Sequence, residues 1–212
     1  MSGLARWLQD RYGGPAAFYE KLAATMEKAG VGAVRARLAG GLRGRIVEIG
    51  CGTGLNFPHY DAGAEVMAVE PLAEFRDLAC ERASAAAADI QVCEGDAQAL
   101  PFSDGSFDAG IVTLVFCSIP DAARGLAELR RVVRPGGEVL LFEHVRSESP
   151  LVRSAQHALD PLWWRMMDGC HVNRDTAAAV RAAGFQVEAV EPHQLPGVAG
   201  MLFPMIEVRA RA

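Results

Sequence analysis

The sequence contains no Cys-x-x-Cys pair, although it holds five cysteines, Cys51, Cys80, Cys93, Cys117 and Cys170. An odd number at wide spacing speaks against a disulfide framework and against a zinc site, and no metal is expected. It fits a reducing compartment, so the expected location is cytoplasmic. Long apolar runs are missing as well, and no early basic cluster leads into one, so no stable membrane insertion is expected. Positive charge is in short supply: 21 Lys and Arg face 26 Asp and Glu, a net charge of −5. Nucleic acid is therefore not an expected partner, because its phosphates attract clustered cations; a small-molecule acceptor is more natural. No internal repeat is visible, and no low-complexity linker beyond the alanine run at 85–88.

What is present suits one globular domain over 1–212, since half of the 212 residues are hydrophobic and can bury a full core. Its oligomeric state, monomer or homodimer, is left open. Leu4, Trp7, Leu8 and Tyr12 fall at helical spacing, and Phe18, Leu22 and Met26 repeat the pattern between Pro15 and Ala29. Residues 1–40 thus form a helical cover over the sheet or a lid; a foot on a membrane surface is less favoured because the polar face has no basic excess. From Arg45 the pattern alternates: strands over 45–49, 65–70, 90–93, 107–115 and 138–144, with helices over 72–87 and 121–133. Such alternation makes an α/β fold with a parallel sheet, here over a core of 45–145. The tract Arg134-Pro135-Gly136-Gly137 stops the second helix before the fifth strand. The alternation then breaks over 147–175, a length typical of a functional insertion. A helix over 175–183, with Gly184 as its cap, and strands over 185–191 and 202–210 complete the chain.

In an open parallel sheet, ligands bind beyond the carboxyl ends of the strands. The first such end leads into Gly50-Cys51-Gly52-Thr53-Gly54. Glycines let this turn bend sharply and approach a ligand, while amides at the next helix start can donate to it. Leu55 follows Gly54, so the third glycine of the dinucleotide pattern GxGxxG is absent, which favours a nucleoside without a pyrophosphate. Cys51 within the turn and Asn56 just after it belong to the same candidate set, and His59 and Tyr60 cap the next turn of the chain. Glu48 stands inside an apolar strand, where it can meet a cationic amino group. Glu70 ends the second strand about twenty residues on, where a carboxylate can accept from both ribose hydroxyls. Pro71 lines an adenine face or caps the next helix. After the third strand, Asp96-Ala97 puts a carboxylate where it can accept from an adenine amino group.

Taken in order, Glu48–Gly54, Glu70, Asp96-Ala97, Phe107-Asp108-Ala109 and Arg134–Gly137 resemble the class I S-adenosylmethionine-dependent methyltransferases. That resemblance implies S-adenosylmethionine as cofactor. It implies a three-layer, Rossmann-like, seven-stranded sheet, mostly parallel with an antiparallel last strand, plus N-terminal helices and a helical insertion after strand five. It also implies that Tyr19 reaches over the cofactor carboxylate, as in lidded members.

Methyl transfer needs an in-line approach of a nucleophile, so positioning and water exclusion supply much of the acceleration. The acceptor enters near the ends of strands four and five, at Thr113-Leu114-Val115-Phe116-Cys117-Ser118 and Glu143-His144. Thr113 and Leu114 there also fall to the cofactor. These segments, with Leu159-Asp160-Pro161-x-Trp163 and Asp168-Gly169-Cys170, resemble the microsomal methyltransferase-like proteins that methylate alkyl thiols. The resemblance implies a small hydrophobic thiol acceptor. The wider neighbourhood of quinone and phospholipid methyltransferases keeps N-, O- or C-methylation of a lipid, quinone or secondary metabolite as the alternative. The microsomal thiol-methylating proteins have a hydrophobic N-terminal membrane segment; here the start is the polar-interrupted Met1-Ser2-Gly3-Leu4-Ala5-Arg6-Trp7. His144 is the candidate base, or else a hydrogen-bonded core histidine. Asp160 and Asp168 can orient a histidine, although Asp160 before Pro161 also reads as a helix N-cap, the reading preferred here. Cys117 and Cys170 read as small buried hydrophobes.

Overall fold

The computed structural model describes residues 13–167, 169–196, 200 and 202–212. The first expected helix, carrying Leu4, Trp7, Leu8 and Tyr12, and the candidate Asp168 lie outside the described residues. Pro15, its φ preset for a first helical turn, opens α1 (Pro15–Met26). The chain then breaks at Gly30, whose φ of 124° no L side chain adopts readily, and resumes as α2 (Gly32–Gly41).

The rest alternates as β1 (Arg45–Ile49), β2 (Glu65–Val69), α3 (Ala73–Ala85), β3 (Asp89–Cys93), β4 (Phe107–Thr113), α4 (Ala122–Val132) and β5 (Val133–His144), followed by α5 (Pro150–Met166), α6 (Thr176–Ala182), β6 (Gln186–His193) and β7 (Met205–Arg211). The strands form one seven-stranded sheet in the order β3-β2-β1-β4-β5-β7-β6. β7 runs antiparallel to both β5 and β6, and the pairs among β1 to β5 are parallel. The α/β, Rossmann-like fold, with its antiparallel last strand, is the one implied by the resemblance.

Both faces of the sheet are covered, which is why β1 is buried from Ile46 to Ile49 with no polar alternation. Ile46, Ile111, Leu140 and Phe142 face α2 and α3 through Val34, Leu38 and Ala79. Their neighbours Val47, Ile49, Val112 and Leu141 face α4 and α6 through Leu126, Leu129 and Val180. Among the described residues no helix is long and apolar enough to cross a membrane.

Three expectations need correction. β5 begins at Val133, directly after α4, because Val133 already pairs with Phe107; the tract 134–137 lies within the extended chain rather than before it. β4 stops at Thr113 rather than 115, since Leu114 turns to a φ of 60°. Asp160 is no N-cap. It sits inside α5, which starts at Pro150 and runs through Pro161. An internal proline costs roughly 3 kcal/mol. Tertiary anchors offset it: the buried Gln156 amide donates to the carbonyls of Val145, Val172 and Leu202 at 3.1, 2.9 and 3.1 Å, and its oxygen accepts from Ser147 N at 2.8 Å.

Candidate active site

β1 is the innermost parallel strand where the order reverses, with β2 on one side and β4 on the other, so the crevice opens at the carboxyl ends of these strands. A cavity of about 410 Å³ lies there, within the usual range for small-molecule sites. Its wall includes Tyr19, Gly50, Gly52, Glu70, Pro71, Asp96, Ala97, Thr113, Leu114 and His144. Glu48, Cys51, Gly54, Asn56 and Asp160 are not part of it.

The glycine turn is shaped by close packing. Gly50 has a φ of 65°, and a Cβ there would stand 2.5 Å from Val115 Cγ1; at Gly54, φ 83°, it would stand 2.6 Å from the Phe57 ring. Glu70 finishes the turn from β2: its Oε1 accepts from Leu72 N and its Oε2 from Gly52 N, each at 3.0 Å. Each oxygen has capacity for a further hydrogen bond, and Glu70 lines the cavity. Burial pushes the Glu70 carboxyl up, against the two amides that hold it down. Asp96 is exposed on the cavity rim, and hydrogen bonds from Gln98 hold its carboxyl below the usual range.

Glu48 lies on the α2 face, one residue out of step with the cavity-lining Ile49. Its Oε2 accepts from Tyr60 Oη at 2.6 Å and its Oε1 from Asn56 Nδ2 at 3.0 Å. Asn56 Nδ2 also donates to Thr113 Oγ1 at 3.0 Å, and Asn56 Oδ1 accepts from Arg35 Nη1 at 3.0 Å. Burial lifts Glu48 to about 7 despite these donors. Glu48 and Asn56 therefore tie β1, β4 and α2 together beneath the turn. The cation that does reach the cavity wall is Arg35, buried in α2 and held by Glu27 at 2.8 Å. Its place on a helix face between Val34 and Leu38 gave no sequence signal.

α1 closes the cavity from above. Glu20 accepts from Arg82 of α3 and from the Thr53 hydroxyl, clamping α1 to the glycine turn. Tyr19 packs on Phe75 with ring centroids 5.5 Å apart, and its hydroxyl would be 3.9 Å from a Cβ on Gly52.

The far end of the cavity is built on Glu143, which sequence reading passed over in favour of its neighbour. Glu143 is fully buried and accepts from the amides of Val115, Phe116 and Cys117 at 2.8, 2.9 and 3.3 Å. Burial still lifts it to about 7. Arg174 caps the same loop by donating to the carbonyls of Phe116 and Ile119. Left-handed Leu114 is thus held from both sides, a strained residue over-determined by its surroundings. His171 N donates to Cys117 O at 2.8 Å and fastens the 167–175 segment to this loop. Cys117, His144 and Cys170 come together at the cavity wall, with Cys170 Sγ 4.0 Å from His144 Nδ1. Asp160 orients a different histidine: its Oδ2 is 2.8 Å from His171 Nδ1, and its Oδ1 accepts from Val172 N at 3.1 Å.

A family model described as a methyltransferase domain matches residues 47–141, which span the glycine turn, Glu70 and Asp96 and reach into β5. A phosphatidylethanolamine N-methyltransferase from Cereibacter sphaeroides is 30% identical over 173 residues, covering 79% of this chain and 81% of that protein. The chain belongs to the class I S-adenosylmethionine-dependent methyltransferases. Within them, human thiol S-methyltransferase TMT1A is 35% identical over 163 residues, a match spanning 71% of this chain but 64% of TMT1A. An S-adenosylmethionine-dependent methyltransferase from Aquifex aeolicus shares the fold at a TM-score of 0.66 and 16% identity, covering 92% of this chain and 97% of that one. The methyltransferase cavity here fits the family's methyl donor: at its wall Glu70 offers two carboxylate oxygens, each held in place by a backbone amide.

Proposed function

We propose that this methyltransferase moves a methyl group from S-adenosylmethionine to the sulfur of a small hydrophobic thiol. The observation that carries the reading is a single cavity with two ends, Gly50, Glu70 and Asp96 at one and Leu114, Cys117, Ile119 and His144 at the other. The identity with a thiol S-methyltransferase adds support.

When bound, the donor supplies an electrophilic methyl carbon on a positively charged sulfur. In this reading Glu70 accepts from the ribose hydroxyls, Asp96 accepts from the adenine amino group, and Pro71 and Ala97 flank the ring. Arg35 offsets the donor's carboxylate, with Tyr19 above the turn. Glu48, Cys51, Gly54 and Asn56 act by holding the turn and β4 in register. Thr113 and Leu114 set the floor at the reacting end. Leu22, Met26 and Met167 keep water out, which strengthens the electrostatics inside. A thiol with a pKa of about 8.5 asks little of a base, and His144 at the end of β5 is within the cavity to accept its proton. The reaction needs no nucleophile on the protein. A monomer or homodimer in the cytoplasm, with no nucleic-acid partner and no stable membrane insertion, goes with this reading.

The longer match to the phosphatidylethanolamine N-methyltransferase favours a second reading, in which the acceptor is N, O or C on a lipid, quinone or secondary metabolite. Methyl-labelled S-adenosylmethionine incubated with a panel of alkyl thiols, amines and phenols separates them. Labelled thioethers are the expected product. Labelled amines or phenols with no thiol turnover would overturn the sulfur assignment and support the second reading.

A further inference from the structure

We propose that Cys117, His144 and Cys170 form a metal site that takes a borderline-soft divalent cation such as Zn²⁺ and leaves its fourth position open to the cavity. Resting on the thiol reading above, we assign that position to the acceptor sulfur. The three ligand atoms lie within 4.8 Å of one another. The residues are 2, 9 and 7% exposed, so none is a casual surface donor. They come from three separate places: the loop after β4, the last residue of β5, and the segment between α5 and α6. Bonds of about 2.3 Å to sulfur and 2.0 Å to nitrogen set tetrahedral ligand separations of roughly 3.5–3.8 Å. Cys170 Sγ and His144 Nδ1 already stand 4.0 Å apart. Two thiolates and one imidazole suit Zn²⁺, and three protein ligands with a vacant fourth position are the pattern of a catalytic site rather than a structural one.

The surroundings are those of a held site. Glu143 and Arg174 fix the loop bearing Cys117 through its amides and carbonyls, and the hydrogen bond from His171 N to Cys117 O joins it to the segment bearing Cys170. The indole N–H of Trp163 is buried with no hydrogen-bond partner among the described residues. It neighbours the Cys170 sulfur, in the place of an outer N–H donor to a metal-bound thiolate. Two buried cysteines alone could be packing, but a histidine nitrogen within 4.8 Å of both sulfurs and a cavity beside all three is a donor set facing a ligand space.

In chemical terms, the acceptor thiol loses its proton to solvent and occupies the fourth position as a thiolate. Its lone pair forms the new S–CH₃ bond. The donor's C–S bond breaks with its electron pair staying on the donor sulfur, which gives a thioether and S-adenosylhomocysteine. His144 is then a ligand and no base is required.

The test uses the full chain, purified under reducing conditions, stripped with a chelator and titrated with Co²⁺ in the absence of donor and acceptor. About one cobalt per chain is expected, with a thiolate-to-cobalt charge-transfer band and tetrahedral visible bands that shift when an alkyl thiol is added. Cys117→Ser and Cys170→Ser should each weaken cobalt binding by more than the roughly 10–100-fold that loss of an outer partner costs, and circular dichroism reports whether they fold. A reduced wild type that gives no such bands overturns the site, as do bands that persist in Cys170→Ser. A Cys117–Cys170 disulfide in protein that takes up no cobalt after reduction overturns it as well. Bands unmoved by thiols overturn the open position. Thiol methylation that survives complete metal removal sinks this proposal while leaving the sulfur acceptor intact; a cobalt site in an enzyme that methylates only amines does the reverse.

Discussion

Glu70→Gln is the sharpest single perturbation of the donor end. The carboxylate is fixed by Leu72 N on one oxygen and Gly52 N on the other, both at 3.0 Å. A glutamine retains one acceptor, and its NH₂ then faces whichever backbone N–H lost its partner. Towards the cavity, two hydrogen bonds from ribose hydroxyls to a charged acceptor become at most one to a neutral acceptor. Hydrogen bonds to charged groups contribute about 1.5–3 kcal/mol each, so a loss of about 3 kcal/mol is expected, roughly 100-fold in Kd. Calorimetric titration with S-adenosylhomocysteine reads it, with Glu94→Gln as control. Glu94 is the exposed partner of Arg76, outside the cavity, and should leave Kd unchanged. The pH profile supplies an independent mark. Because burial raises the Glu70 carboxyl, wild-type affinity should fall as pH drops through a value above the ordinary carboxylate range, while the glutamine variant stays flat. A Kd within threefold of wild type at unchanged melting temperature would refute the assignment of Glu70 to the ligand.

The same geometry sets three further outcomes. Gly50→Ala forces a Cβ to within 2.5 Å of Val115 at a φ of 65°, so urea unfolding should show a loss of about 2 kcal/mol or more, with weaker S-adenosylhomocysteine binding. Glu48 has its folded pKa raised to about 7, above its unfolded value of about 4.3. Its stabilising contribution is therefore complete below that value and lost as pH rises to 7. Glu48→Gln, which can still pair with Asn56 and Tyr60, should flatten this fall by on the order of 3 kcal/mol, and the slope that remains belongs to Glu143 and Glu70, whose carboxyls burial also raises; an unchanged slope counts against the buried carboxyl. Asp160→Asn sets an NH₂ against His171 Nδ1, so the melting temperature should drop, by an amount equivalent to about 1 kcal/mol. Because neither residue lines the cavity, kcat/KM should stay within about threefold, and a hundredfold loss would make Asp160 part of the chemistry.

The fold was legible where hydrophobic period and glycine chemistry agree. β1 falls on the expected residues 45–49, and α3 and α4 lie within two residues of their expected ends. The placing of Gly50, Glu70 and Asp96 on one cavity was legible for the same reason: each follows a strand end by one to three residues, so order along the chain translates into position. Glu48 shows the limit. Identifying it as a strand residue was simple, but only the face covered by Asn56 and Tyr60 tells whether it meets a ligand. The acceptor end was less legible, because it depends on residues far apart in sequence. Cys117, His144 and Cys170 follow no ligand spacing, and their convergence requires the segment after α5 to return to the loop after β4, where His171 N donates to Cys117 O. Asp160 misled because a proline after an acid is a local cap signal, whereas tertiary anchoring through Gln156 decided where the helix starts.

β7 has a further consequence, for the order in which the molecule can be assembled during synthesis. It lies between β5 and β6 and contributes all seven rows that pair with Glu138 to His144 of β5, yet it leaves the ribosome about sixty residues after β5 is complete. Until then a nascent chain carrying the finished donor end presents the open edge of β5, with Val139, Leu140, Leu141 and Phe142, to its surroundings. Such an edge is a template for pairing with other chains. Folding yield in translation should therefore be governed by protection of that edge, by a chaperone or by speed, more than by the glycine turn on which the chemistry depends.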